Sequence, residues 1–146
     1  MIVSVHVATG AAVGATVRSR LGALALGPLV HLLADRIPHQ DISSRRFEIT
    51  SGALAVLVLA ARRGPFSAPV LGALSAAAPD IEHVVRLPRP GGRKLFPSHR
   101  LPGWHRPGGV PAWLQLIAAG SIIGALVAPA PPSVRRSRNA GRPRAS

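Results

Sequence analysis

Residues 21–41 read LGALALGPLVHLLADRIPHQD, an apolar run that ends with His31, Asp35, His39 and Asp41 inside its last eleven positions. Ala and Leu dominate the run and strict apolar–polar alternation is missing, so it reads as helix and not as strand. Pro38 stops that helix and turns the chain. The segment is therefore a buried helix with two histidine–carboxylate pairs gathered at its end.

Four further apolar runs, at residues 2–17, 49–61, 66–78 and 110–128, are separated by short basic or Pro/Gly-rich breaks. Each reads as helix on the same grounds, which predicts an all-α chain with about four to five helices. Small residues suit closely packed helices, and at 47% apolar but only 3% aromatic the composition leans toward a small polytopic membrane bundle. The last run has Pro111 near its start and Pro129 after its end, and at about 18 residues it is expected to span a bilayer. The other runs give about 20 to 24 Å of helix each, short for a span without snorkelling arginines or re-entrant insertion.

The first run lacks a basic leading region and is interrupted by His6, so it is expected to be a retained helix and not a cleaved signal. Arg18 and Arg20 favour a cytoplasmic loop after it. Residues 1–129 form the expected helical domain. Residues 130–146, rich in Pro, Arg and Ser, are expected to be a disordered tail on the cytoplasmic side of the cell membrane.

The formal charge is +13, and Lys94 is the only lysine among 18 basic residues. The arginines are scattered between apolar runs, and no helix carries a basic face interleaved with aromatics, which argues against nucleic-acid binding and leaves membrane lipids as the expected partner. Absence of cysteine excludes disulfides and thiolate-ligated zinc. No G-x-S-x-G elbow or Walker-type loop occurs.

Four of the five acidic residues, Asp35, Asp41, Asp80 and Glu82, lie within four positions of a histidine. His31 and Asp35 are one helical turn apart and share a face. Imidazole with carboxylate is a mixed N/O set suited to Zn²⁺, and also to Mn²⁺ or Fe²⁺. Past Pro38 a loop can return His39 and Asp41 to the same place, and PDIEH at residues 79–83 repeats the theme with Asp80, Glu82 and His83. An alignment at an offset of 41 residues, pairing Pro28 with Pro69 and Pro38 with Pro79, reads as a possible duplicated hairpin. The competing reading pairs Asp35 with Arg36 at a solvated helix end, makes Asp80 a cap, and leaves His31 and His6 as core histidines. His99 and His105, each followed by arginine, could attend a phosphate, or could sit in an interfacial loop anchored by Trp104 and Trp113. Gln115 could hydrogen-bond across the bundle.

Taken in order, a His in the first apolar helix, H-x3-D-x2-P-H-x-D, P-D-x2-H, an H-R loop and a terminal helix with an early Gln resemble the small bacterial membrane-bound metal-dependent hydrolases related to the LexA-regulated hydrolase family. Those are in turn likened to the all-helical zinc-dependent phospholipase C class. The resemblance runs from about His6 to Gln115. It implies a divalent metal, hydrolase chemistry and a membrane location, with His6, His31, Asp35 and Asp80 as metal ligands and His39, Asp41 and His83 beside them. Such hydrolases often carry H-R-x2-T-H-S, where this chain has Ser98-His99-Arg100 and Trp104-His105-Arg106, so the final ligand stays open.

The expected activity is metal-assisted attack of water on an ester or phosphodiester, lipid-like in the membrane setting. Asp41 or Glu82 would accept a proton, and Arg100 or Arg106 would steady the anionic substrate. A non-catalytic path for protons or metal ions, or a structural anchor, uses the same residues differently.

Overall fold

The computed structural model describes residues 1–129, so the basic tail expected at 130–146 lies outside the described residues. Within them the chain is all-helical, without a strand. Long helices α1 (Val3–Val17), α2 (Arg20–Ala34), α3 (Arg45–Arg63) and α4 (Ala68–Ala77) are followed by a 3₁₀ turn at Ala78–Asp80. Single-turn helices α5 (Ile81–Val84) and α6 (Pro97–Arg100) precede the last long helix, α7 (Ala112–Val127).

Local chemistry sets the boundaries. The Ser19 hydroxyl accepts from Gly22 N–H at the start of α2, and that of Ser44 accepts from Phe47 N–H at the start of α3, each replacing a missing intrahelical partner. Gly64, at φ 87°, ends α3 where the backbone enters a region that side-chain-bearing residues avoid. Pro69 falls in the first turn of α4, whereas Pro28 lies inside α2, so the prolines paired by the 41-residue offset occupy unlike helical positions.

α1 is the central helix and packs against α2, α3, α4 and α7. Its buried residues, including His6, Val7, Ala8, Gly10 and Ala11, run round the helix and not along one stripe, as expected of an element enclosed on all sides. Glycines set the spacing of its neighbours. A Cβ on Gly10 would come within 2.3 Å of the Gly72 carbonyl oxygen of α4, and one on Gly27 of α2 within 2.7 Å of the Ala76 amide. α1, α2 and α4 therefore meet backbone to backbone, and the side chains at their common end are brought close.

The membrane-spanning expectation is not met by these helices. The run at 110–128 forms a helix of 16 residues, about 24 Å long. The longest, α3, carries Arg45, Arg46, Arg62 and Arg63 at its ends. Among the described residues no helix is long and apolar enough to cross a membrane.

Candidate metal centre

The site forms where α1, α2 and α4 converge. His6 projects from α1 and is fully buried, and His31 and Asp35 come from the last turn of α2, where the Asp35 amide donates to the His31 carbonyl at 3.0 Å. The 3₁₀ turn after α4 delivers Asp80, and α6 brings Ser98 and His99 across the top. The close approach of α2 to α4 has a direct consequence: His31 Nδ1 lies 2.8 Å from the carbonyl oxygen of Ala76.

A carbonyl oxygen only accepts, so His31 Nδ1 carries a proton and Nε2 is the nitrogen turned to the centre. His99 is oriented the same way, with Nδ1 donating to Glu82 Oε1 at 2.5 Å. The two Nε2 atoms then face each other at 3.3 Å. Around them stand Asp35 Oδ2, 3.1 Å from His31 and 3.5 Å from His99, and Asp80 Oδ1, 3.8 and 3.6 Å from the same nitrogens. His6 stacks on His31 with ring centroids 3.9 Å apart, and its Nε2 is 3.2 Å from Asp35 Oδ1. Neither His6 nitrogen makes a hydrogen bond of proper geometry, and Asp80 Oδ2 is likewise buried without one.

Electrostatics agree with a cation-seeking site. Burial, outweighing the pull of Asp35, lowers His6 to a pKa of about 4 and keeps it neutral. Burial alone would raise Asp35, but the imidazoles of His31, His6 and His99 crowded around it hold its carboxyl far below the ordinary range. Asp80 is raised by burial against the pull of His31 and His99. The Nε2 atoms of His31 and His99 and the oxygens of Asp35 and Asp80 face one another at distances that call for a proton or a metal ion among them. Two sets here, His6–His31–Asp80 and His31–Asp35–His99, have donor atoms close enough to hold one ion.

A second grouping lies next to the first. Residues 38–40 pair with 106–110: His39 N–H donates to the Arg106 carbonyl at 3.3 Å, Gln40 N–H to Val110 at 3.0 Å and Val110 N–H to Pro38 at 2.9 Å. Gln115 secures this pairing, its amide donating to the carbonyls of Gln40 at 2.8 Å and Val110 at 3.0 Å while its oxygen accepts from Ile2 N–H at 3.3 Å. Trp104 donates to the Leu32 carbonyl at 3.1 Å, holding the loop on α2. His105 is thereby placed 2.8 Å, Nε2 to Nε2, from the buried His39. Asp35, His39 and His105 form a further set with donor atoms close enough for an ion. The Met1 ammonium sits beside it, 3.1 Å from Asp35 Oδ1, 3.7 Å from Asp41 Oδ1 and 3.3 Å from His105 Nε2.

The structure thus gathers His6, His31, Asp35 and Asp80 at one point and puts His39 and Asp41 in the adjoining group. His83 stands at the exposed edge, 3.3 Å from Lys94 Nζ, and shares a more exposed set with Asp80 and His99. Glu82 is buried and saturated: besides His99 it accepts from Leu95 N–H at 2.6 Å and Phe96 N–H at 3.4 Å, so its carboxylate is not open to water. A cavity of about 560 Å³ opens onto both groups. Its walls include Asp35, Asp41, Asp80, His99 and His105, and its cationic side chains are Arg45 and Lys94, whereas Arg100 and Arg106 are exposed and outside it. Sequence reasoning left His99 between two roles and passed over Ser98, which donates to Asp35 Oδ2 at 2.7 Å. No sequence signal marked either residue, because the acidic position nearest to His99, Glu82, is 17 residues away. Comparisons of the chain with family models, with curated proteins and with solved structures found no match.

Proposed function

We infer that the chain is a metal-dependent hydrolase of anionic esters, phosphodiesters among them. The observation that carries this reading is the buried meeting of His31 and His99 Nε2 atoms at 3.3 Å, each with its other nitrogen already committed as a donor, between the carboxylates of Asp35 and Asp80. These four residues, with His6 behind them, are the donor set for a divalent ion, and mixed imidazole and carboxylate donors suit Zn²⁺ first, with Mn²⁺ and Fe²⁺ as alternatives. When bound, such an ion supplies Lewis acidity to an ester or phosphoryl oxygen and acidifies water.

The chain's own residues do the rest. Glu82 fixes the His99 ring and Ala76 the His31 ring, so both present Nε2 to the centre. Ser98 holds one Asp35 oxygen. Arg45 and Lys94 in the cavity wall draw in a negatively charged group. Asp41, with 52% of its side chain exposed, is the wall carboxylate that water reaches most easily. The abundance of exposed aliphatic side chains, Leu21 at 80% and Leu57 at 65% among them, supports a lipid-like substrate and a location at a membrane surface.

The test is hydrolysis of bis(p-nitrophenyl) phosphate and p-nitrophenyl butyrate by the full chain, stripped with chelator and reloaded with Zn²⁺ or Mn²⁺. Turnover should need the metal and fall at least about 100-fold in His31→Ala, as expected for loss of a ligand where even supporting residues cost about 10- to 100-fold. If no metal binds, or if His31→Ala hydrolyses as well as the wild type, the reading fails. Tight metal binding without turnover on either substrate leaves a metal-binding protein in its place.

A further inference from the structure

The proposed hydrolase site gives His39 and His105 no role, although considerable structure is devoted to bringing them together beside Asp41. His39 sits in a loop yet is only 1% exposed. Its Nδ1 is 2.6 Å from the Ile37 carbonyl oxygen, so that nitrogen must donate and Nε2 is the atom turned to the group. It faces His105 Nε2 at 2.8 Å and Asp41 Oδ1 at 3.2 Å. A single proton on His39 Nε2 can be directed to only one of these two neighbours, whereas a cation would be shared by all three groups.

Asp35 connects this group to the first. Its Oδ2 faces His31 and His99, while its Oδ1 lies on the side of the Met1 ammonium, and its ligand atoms fall in a set with His39 and His105 as well as in a set with His31 and His99. Oδ1 also lies 3.2 Å from His6 Nε2, so the carboxylate stands between the two groups and touches both. We propose that the chain holds two divalent cations: one among His6, His31, Asp80 and His99, the other among His39, His105 and Asp41, with Asp35 shared between them. The second position rests on the metal-site reading of the first, since Asp35 belongs to both. A pair of ions bridged by a carboxylate is a known way to grip both oxygens that change partners in a displacement.

The competing occupant of the second position is the Met1 ammonium, which already stands 3.3 Å from His105 Nε2. Stoichiometry separates the two. Full-length chain is stripped with chelator, titrated with Zn²⁺ in a calorimeter, and checked by elemental analysis after gel filtration. Two ions per chain are expected for the wild type and one for His105→Ala, with His105→Gln as a second variant that keeps the side-chain volume. His105 is partly exposed in a loop, so retained far-UV helical signal is expected in both. A single ion in the wild type that is retained in both His105 variants overturns the second position and leaves the first standing. Two ions in the wild type and also in both variants overturn the assignment of His105. No bound ion in the wild type overturns the proposed function together with this inference.

Discussion

Glu82 contacts neither substrate nor the centre of the cluster, yet three donors converge on it and one of them is the His99 ring. It is a positioning residue. Glu82→Gln removes the charge that orients Nδ1–H and should weaken Zn²⁺ binding about 10- to 100-fold, measured by competition with a chromophoric chelator. Glu82→Asp should recover part of the loss, and unchanged affinity in Glu82→Gln would assign the residue to packing alone. His6 makes a second residue-scale prediction, for the metal-free protein. Its folded pKa, lowered by burial to about 4, lies below the unfolded value of about 6.5. The unfolded chain therefore binds the proton first, and the contribution of His6 to stability is complete above about pH 6.5 and lost as the pH falls toward 4, a change on the order of 3 kcal/mol. His99 acts in the opposite sense: burial opposes its charge, but Asp35 and Glu82 raise its pKa, so its contribution is complete below about 6.5 and declines as the pH rises through the folded value. Urea unfolding of chelator-treated protein should give a stability maximum near pH 6 to 7, and a flat profile between pH 4.5 and 6.5 would contradict the burial of a neutral His6.

At the scale of elements, the site depends on how closely α1, α2 and α4 approach. Gly10 and Gly72 stand against each other's carbonyl oxygens, where a Cβ on either would come within 2.3 Å. Gly10→Val should force α1 from α4 and cost about 1 to 3 kcal/mol, read from urea midpoints. Because His6 and His31 stack at 3.9 Å across α1 and α2, it should also weaken metal binding in whatever fraction folds. A wild-type midpoint in Gly10→Val would mean that the helices tolerate a wider separation. The helices themselves were legible from Ala/Leu-rich runs bounded by Ser, Gly and Pro, and the i, i+4 pairing of His31 with Asp35 followed from helical geometry alone. Less legible was the extent of α3, whose arginine-bearing ends at Arg45–Arg46 and Arg62–Arg63 looked like breaks between apolar runs. Arginine is a good helix former, and a capping serine and a terminal glycine enclose those turns as helix.

The whole molecule presents aliphatic surface that its own core does not cover. Leu21, Leu24, Leu29 and Leu33 of α2 are exposed, as are Trp113, Leu114 and Ile117 of α7. Given this surface and the formal charge of +13 of the whole sequence, the full chain should float with anionic lipid vesicles in a density gradient, and more weakly with neutral ones. Recovery in the lipid-free fraction with both would remove the membrane-surface part of the proposed function.

What the sequence determined by itself was local: which segments coil, where serine, proline and glycine stop them, and that histidines and carboxylates gather at helix ends. Those follow from interactions within a few residues. Which of these groups meet was decided by tertiary structure. His99 reaches His31 across 68 positions of chain and Ser98 reaches Asp35 across 63, while His105 reaches His39 across 66 through a backbone pairing that no periodicity announces. HLLADRIPHQD supplied residues to two neighbouring groups and not to one, because Pro38 ends the helix and the backbone pairing beyond it carries His39 to His105. Side chains this far apart in sequence come together only after the helices have packed, and the depth of that packing is set by glycines whose part in the site is to leave room for it.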